Sequence, residues 1–319
     1  MELFNVYSLY DVTLERGCGA RVYDDKDREY LDFYCGGGMV PVGHNHSHYL
    51  DSMTSQMRKL PYYSNCVKNP LQTELAQKLG RASHYDDYSL FLTNSSEEAK
   101  DCILRLASSS SRRVKTLKFS ATQLTSIDEN LGLKVERREM GDELLVVDET
   151  ETGFGRTGQF FAHQWYGIRP DIIIIGGAMG NGFPVGGLLI SPEIKPSIGM
   201  LRSMFGGNYM ASTAAIATVD ILHEAQLTDN VRTLGDYLIN SLRYLQTEFS
   251  EKILNVRGRG CLVEIAFAEH IADLRRELLY RQFVFTGVAD ANTLRLLPPY
   301  IITEDDIDEF VNKLRNVLI

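Results

Sequence analysis

Residues 143–190 read ELLVVDETETGFGRTGQFFAHQWYGIRPDIIIIGGAMGNGFPVGGLLI, and this stretch decides the fold. It holds three short apolar runs, ELLVVD (143–148), DIIIIG (171–176) and GGLLIS (186–191), none alternating with polar residues. Runs of that kind fit strands buried on both faces. Working outward, SLFLT (89–93) and RVKTLKF (113–119) have the same character, and helical patterns span Asn208–Glu224 and Thr228–Phe249. The alternation predicts an α/β domain with a mostly parallel sheet and helices on both faces. From Ile253 the texture changes to NVRGRGCLVEIAF, a helix near Ile271–Arg281, FVFTGV, TLRLLPP and a last helix. That pattern predicts a small α+β domain. Its last helix starts at Thr303 as N-cap and carries Ile307, Phe310, Val311, Leu314 and Leu318 on one face.

The chain has 319 residues, 44% hydrophobic and 24% charged, which suits a folded protein with a sizeable core. Forty-two acids against 33 bases give a net charge of −9 without long single-sign blocks. This argues against nucleic acid or an anionic membrane as the main partner and for a small molecule or another protein. The scattered cysteines Cys18, Cys35, Cys66, Cys102 and Cys261 read as reduced thiols of a cytoplasmic protein. No window reaches 18 apolar residues, so no membrane span is expected.

Two motifs are weaker than they look. Gly153, Gly155 and Gly158 satisfy G-x-G-x-x-G after a strand, yet QFFAHQWYGI follows where a dinucleotide site needs a helix and a later acid. His44, His46 and His48 alternate after VPVG, which reads as a polar turn with no carboxylate near in sequence; no metal site is expected.

Several motifs in order, EYLDFYCGGGMVPVGHNHSHY, FLTNSSEEAKDCILRLA, DETETGFGRTG, GIRPDIIIIGGAMGNGFP, FGGNYMASTAA, VRGRG and LRLLPP, resemble the class III aminotransferases nearly end to end. The closest likeness is to acetylornithine and succinylornithine aminotransferases of arginine biosynthesis. The resemblance implies the fold type I pyridoxal-phosphate architecture. Residues 1–45 would form the N-terminal segment of the small domain, 46–250 the large cofactor-type domain, and 251–319 the C-terminal small domain. It also implies a homodimer whose active sites lie across the interface. Asp148 stands where the family's acid faces the pyridinium nitrogen, and Arg295 where its arginine grips the substrate α-carboxylate.

The departures cluster at the chemistry. Gly177 occupies the position of the Schiff-base lysine, which makes the cofactor reactive and shuttles the proton. In the phosphate loop Ser95 is followed by Ser96 and Glu97 where the family has small residues. Two like charges about 4 Å apart cost roughly 4 kcal/mol at an effective dielectric of 20. The phosphate-binding threonine, lent by the partner subunit, reads Met204, and the glutamine facing the cofactor's phenolic oxygen reads Glu151. Only Ala121–Glu143 separate KFS from LLVVD, so a deletion removes the aromatic-His-Gly segment that stacks on the ring, with a strand and a helix. Lys100, inside a helix, and Lys118, inside a strand, are not expected to stand in for the missing amine.

The sequence therefore implies a degenerate relative of acetylornithine aminotransferase: pyridoxal 5'-phosphate binding doubtful, no catalytic lysine, negligible turnover. A different class of reading is a non-catalytic subunit that pairs with an active paralogue. A third is a weak transaminase of ornithine derivatives and 2-oxoglutarate using an unseen base, and a fourth an altered chain that folds poorly. Its ligand, if any, would be a small amino-acid-type molecule.

Overall fold

The computed structural model describes residues 1, 3–110, 112–125 and 143–319; most of the expected deletion site lies outside them. The chain begins with strands β1 (Leu14–Cys18), β2 (Arg21–Asp24) and β3 (Glu29–Asp32). A glycine-rich turn, α1 (Cys35–Gly38), precedes helices α2 (Ser47–Lys59) and α3 (Pro70–Ser83). Then come β4 (Ser89–Thr93), α4 (Ser96–Ser110), β5 (Arg113–Lys118) and α5 (Ala121–Thr125). The quoted stretch supplies β6 (Glu143–Asp148), β7 (Ile172–Ile175) and β8 (Gly186–Ile190). Two long helices follow, α6 (Tyr209–Glu224) and α7 (Leu227–Glu248). The C-terminal part runs β9 (Ile253–Arg259), β10 (Leu262–Phe267), α8 (Ala272–Tyr280), β11 (Val284–Phe285), β12 (Gly287–Asp290), β13 (Thr293–Leu296) and α9 (Glu304–Leu318).

The central sheet has the order β4-β8-β7-β6-β5. β5, β6 and β7 are parallel; β8 runs against both β7 and β4, so four of the five strands share a direction. Alternate residues of its inner strands feed two different cores, which is why the runs do not alternate in polarity. Leu144, Val146, Ile172 and Ile174 pack on Ala99, Ile103 and Leu106 of α4. Ile173, Ile175 and Leu189 face Leu75, Leu79, Ala211 and Ala215 of α3 and α6. At about 25 cal/mol per Å² of apolar surface, burial on both faces holds these short strands firmly in the fold.

Among the described residues β4 and β5 form the two edges of this sheet, and β5 is the more exposed. Its Arg113, Lys115 and Lys118 place cations along a strand that would otherwise invite pairing with another chain. Two further sheets, β1-β2-β3-β11 and β12-β13-β10-β9, surround the C-terminal half. β11 pairs in parallel with β3, so the N-terminal strands join C-terminal ones. The expected Thr303 cap is present: its side chain accepts from Asp306 N–H, and the Asp306 carboxylate takes the Thr303 N–H. No helix among the described residues is long and apolar enough to cross a membrane.

Candidate functional site

The C-terminal ends of β6 and β7 and the start of α4 converge on a cavity of about 230 Å³, lined among others by Met39, Ser95, Ser96, Glu97, Thr150 and Gly177. Asp148 ends β6 at its edge and is buried. One carboxylate oxygen accepts the Thr150 N–H and hydroxyl, and the other lies 3.2 Å from the Lys100 Nζ. Burial alone would raise the Asp148 pKa, but the Thr150 hydrogen bonds and the Lys100 charge outweigh it and hold the carboxyl below its ordinary value. Lys100, which the sequence places inside a helix, is thus a partner of Asp148. One helical turn past the loop, its long side chain reaches across to β6.

Gly177 sits just past β7 with φ of +54°, in the left-handed region that L side chains rarely adopt. A Cβ added there would lie 2.8 Å from the Thr150 carbonyl oxygen and 3.0 Å from the Met39 sulfur. Met39, brought in by the turn after α1, therefore fills the space into which a side chain at 177 would extend.

At the head of α4 most of the local donors and acceptors are used within the loop. Glu98 accepts the Asn94 N–H at 2.8 Å and the Asn94 side-chain amide at 2.7 Å. The Ser95 hydroxyl accepts the Glu98 N–H, and the Ser96 hydroxyl donates to Glu97. Glu97 points into solvent, its side chain 77% exposed. The repulsion expected from it is consequently screened, and the cost of roughly 4 kcal/mol drops toward about 1 kcal/mol, the value in bulk water.

Glu151 and Arg295 meet across the site. Arg295, on β13, donates to Glu264 of β10 at 2.8 Å and lies 3.4 Å from Glu151. Glu264 is buried and is shared with Arg257. Lys118, at the end of β5, is half-exposed and pairs with Glu151 at 3.5 Å, so its side chain is neither buried nor on the far side. A single chain of alternating charge thus runs from Lys118 through Glu151, Arg295 and Glu264 to Arg257. Met204 is not gathered with these residues. It is exposed and borders a larger open cleft of about 1410 Å³.

Other groups were missed or misread in the sequence. Glu149, fully buried beside Asp148, accepts the Ala162 and His163 N–H groups, the Thr152 hydroxyl and His163 Nδ1 at 2.7 Å. His163 Nε2 in turn meets the Tyr85 hydroxyl at 2.7 Å. Arg156 is buried: it donates to the carbonyls of Gly38, Cys261 and Pro298 and stacks on Tyr300. The fold brings His44 a carboxylate partner from twelve residues away, Asp32, at 2.8 Å. With Cys35 these two place one potential ligand atom each within 4.8 Å. Asp32 is already engaged by Tyr34 N–H, Cys35 N–H and His44, and burial pushes the Cys35 thiol up, so the trio is a hydrogen-bonded corner.

Comparison with known proteins agrees with this architecture. A family model described as Aminotransferase class-III matches residues 5–127 and 138–318, its interruption falling inside the region where the deletion is expected. The acetylornithine aminotransferase of Archaeoglobus fulgidus is 29% identical over 376 positions, which take in 98% of this chain and 97% of that protein. That of Bacillus cereus is 29% identical over 380 positions, with coverage of 99% and 97%. Both spans exceed the 319 residues of this chain, so the relatives hold residues without a counterpart here. Among solved structures, the acetylornithine aminotransferase of Elizabethkingia anophelis superposes with a TM-score of 0.83 at 24% identity, covering 98% of this chain and 94% of that one. The Plasmodium falciparum ornithine delta-aminotransferase gives 0.85 at 23% identity with the same coverage. These structures share the fold, and the matched family model covers most of the sequence: the chain belongs to the class III aminotransferase family.

Proposed function

We propose that this chain is an acetylornithine-aminotransferase-like family member that has lost pyridoxal-phosphate transamination. The observation that carries the reading is Gly177, whose missing side chain is matched by a Met39 sulfur in the space a side chain would need. Three further features point the same way. Asp148 has a lysine as partner, Arg295 is engaged by two acids, and Glu151 places a carboxylate where the resemblance puts a ligand oxygen. The residues present do not fit the cofactor held in the family's manner, so no reaction step is derived through it.

The test is to mix the protein with pyridoxal phosphate, reduce with borohydride and map any pyridoxyl groups by mass spectrometry. We expect labelling of Lys100 and Lys118 no greater than that of exposed surface lysines, and no half-reaction with acetylornithine. Stoichiometric attachment to either pocket lysine, with turnover, overturns the reading.

A second reading is a non-catalytic subunit paired with an active chain of the same fold. It is favoured by the exposed apolar group Tyr62, Tyr63, Val67, Met204 and Phe205 around the larger cleft. Co-expression with a lysine-bearing family member tests it: a stable mixed dimer supports it, and exclusive self-association removes it.

A further inference from the structure

We propose that Lys100 is a built-in counter-ion that takes the place of a ligand's ring cation at Asp148. The inference deepens the reading above and rests on it only for the identity of the pocket. In the resemblance, the acid at position 148 faces a protonated pyridine nitrogen, a cationic N–H donor. Here the chain supplies such a donor itself: Lys100 Nζ stands 3.2 Å from one oxygen of Asp148, while Thr150 saturates the other.

Both residues are held where they need to be. Asp148 ends a strand paired on both sides, with Lys118 opposite it on β5 and Ile174 on β7. Lys100 projects from α4, whose Ala99, Cys102, Ile103 and Leu106 are buried against β6, β7 and β8. The helix cannot rotate without lifting that face from the core. Burial of an unpaired carboxylate is unfavourable, and an acid kept after its cationic ligand is lost needs another cation. Lys100 meets that need. Its side chain is 45% exposed, so it reaches the buried acid from a partly solvated position. Among the described residues, the other charged groups near this pair are Glu97 at 3.9 Å from Lys100, on the same helix, and the Glu151–Lys118 pair from the neighbouring strand end.

The prediction is specific: removing the lysine should open the acid to an outside cation. Pyridoxine 5'-phosphate is the suitable probe because it has the ring nitrogen and phosphate but no aldehyde, so Schiff-base formation plays no part. By calorimetry or fluorescence, Lys100→Met should bind it at least fivefold more tightly than the wild type. Lys100→Arg, which keeps the cation, should not, and Lys100→Met/Asp148→Asn should lose the gain. Carbon-13 NMR of the Asp148 carboxyl supplies a readout without any ligand. Its titration midpoint should move upward in Lys100→Met and stay near the wild-type value in Lys100→Arg. An unchanged midpoint in Lys100→Met, or an affinity gain that survives Asp148→Asn, overturns the proposal. Covalent cofactor on the wild-type chain would instead defeat the proposed function, and it is scored separately by the borohydride experiment.

Discussion

Two acids adjacent in sequence, Asp148 and Glu149, have opposite fates in this fold. Glu149 turns into the protein and is consumed by four donors from Thr152, Ala162 and His163, beyond the reach of solvent. Asp148, next to a residue that lines the cavity, is shared between that local threonine and a lysine from another element. The inward network depends only on the fold and is complete. The outward one, on the proposed reading, lies where the resemblance puts a ligand, beside Gly177, Glu97 and Glu151. On that reading the chain keeps the family's interior, and the face turned to the ligand is rebuilt from its own side chains.

The largest expected effect breaks the inward side. Glu149→Ala strands His163 Nδ1, two backbone N–H groups and the Thr152 hydroxyl in a site without solvent. Removing one partner of a buried pair typically costs about 3–5 kcal/mol, and urea unfolding should show a loss of that size. A loss below about 1 kcal/mol would mean the pocket floor is hydrated, and the contrast between the two acids would collapse.

A smaller effect is expected where the outward side is rebuilt. Gly177→Lys restores the amine by type, but it forces a β-carbon onto the Thr150 carbonyl and Met39 sulfur at φ +54°. Such backbone strain costs about 1–3 kcal/mol, so the variant should be less stable and still show no cofactor absorbance band. Adding Met39→Ala should recover part of the stability by freeing the sulfur's space. If the single variant gains a stable protein-bound pyridoxal chromophore, the pocket is less altered than its contacts indicate.

The sequence made the inner framework and the location of the site legible, and it failed where long side chains cross between elements. Two-sided apolar runs marked β6, β7 and β8, and Thr303 with Asp306 marked the start of α9, because local pattern determines both. Antiparallel β8 was not separable from its parallel neighbours, since burial on both faces leaves no mark of direction. Ser95, Ser96, Glu97, Asp148 and Gly177 fall at one end of the sheet because strand ends fix them. The Lys118 side chain was misplaced and the Lys100 ion pair missed, because the backbone position of a lysine says little about an ammonium several bonds away. Met39 and Tyr85 join the site region through contacts with Gly177 and His163 from far along the chain, which no local pattern encodes.

The smallest expected effect belongs to Glu97, the residue whose charge weighed most in the sequence. Its carboxylate stands in solvent at the first turn of α4, 3.9 Å from Lys100, where water and that cation both screen it. Against a phosphate it should therefore cost about 1 kcal/mol, not four, and Glu97→Gln should raise affinity for inorganic phosphate by only about fivefold. The same acid favours the helix N-terminus, so the substitution should lower stability by about 0.3–1 kcal/mol. Measured side by side, the two small changes carry opposite signs, which a general disruption of the loop would not produce. A hundredfold rise in phosphate affinity would place Glu97 inside a low-dielectric pocket and make it, rather than Lys100 or Gly177, the main barrier to an anionic ligand.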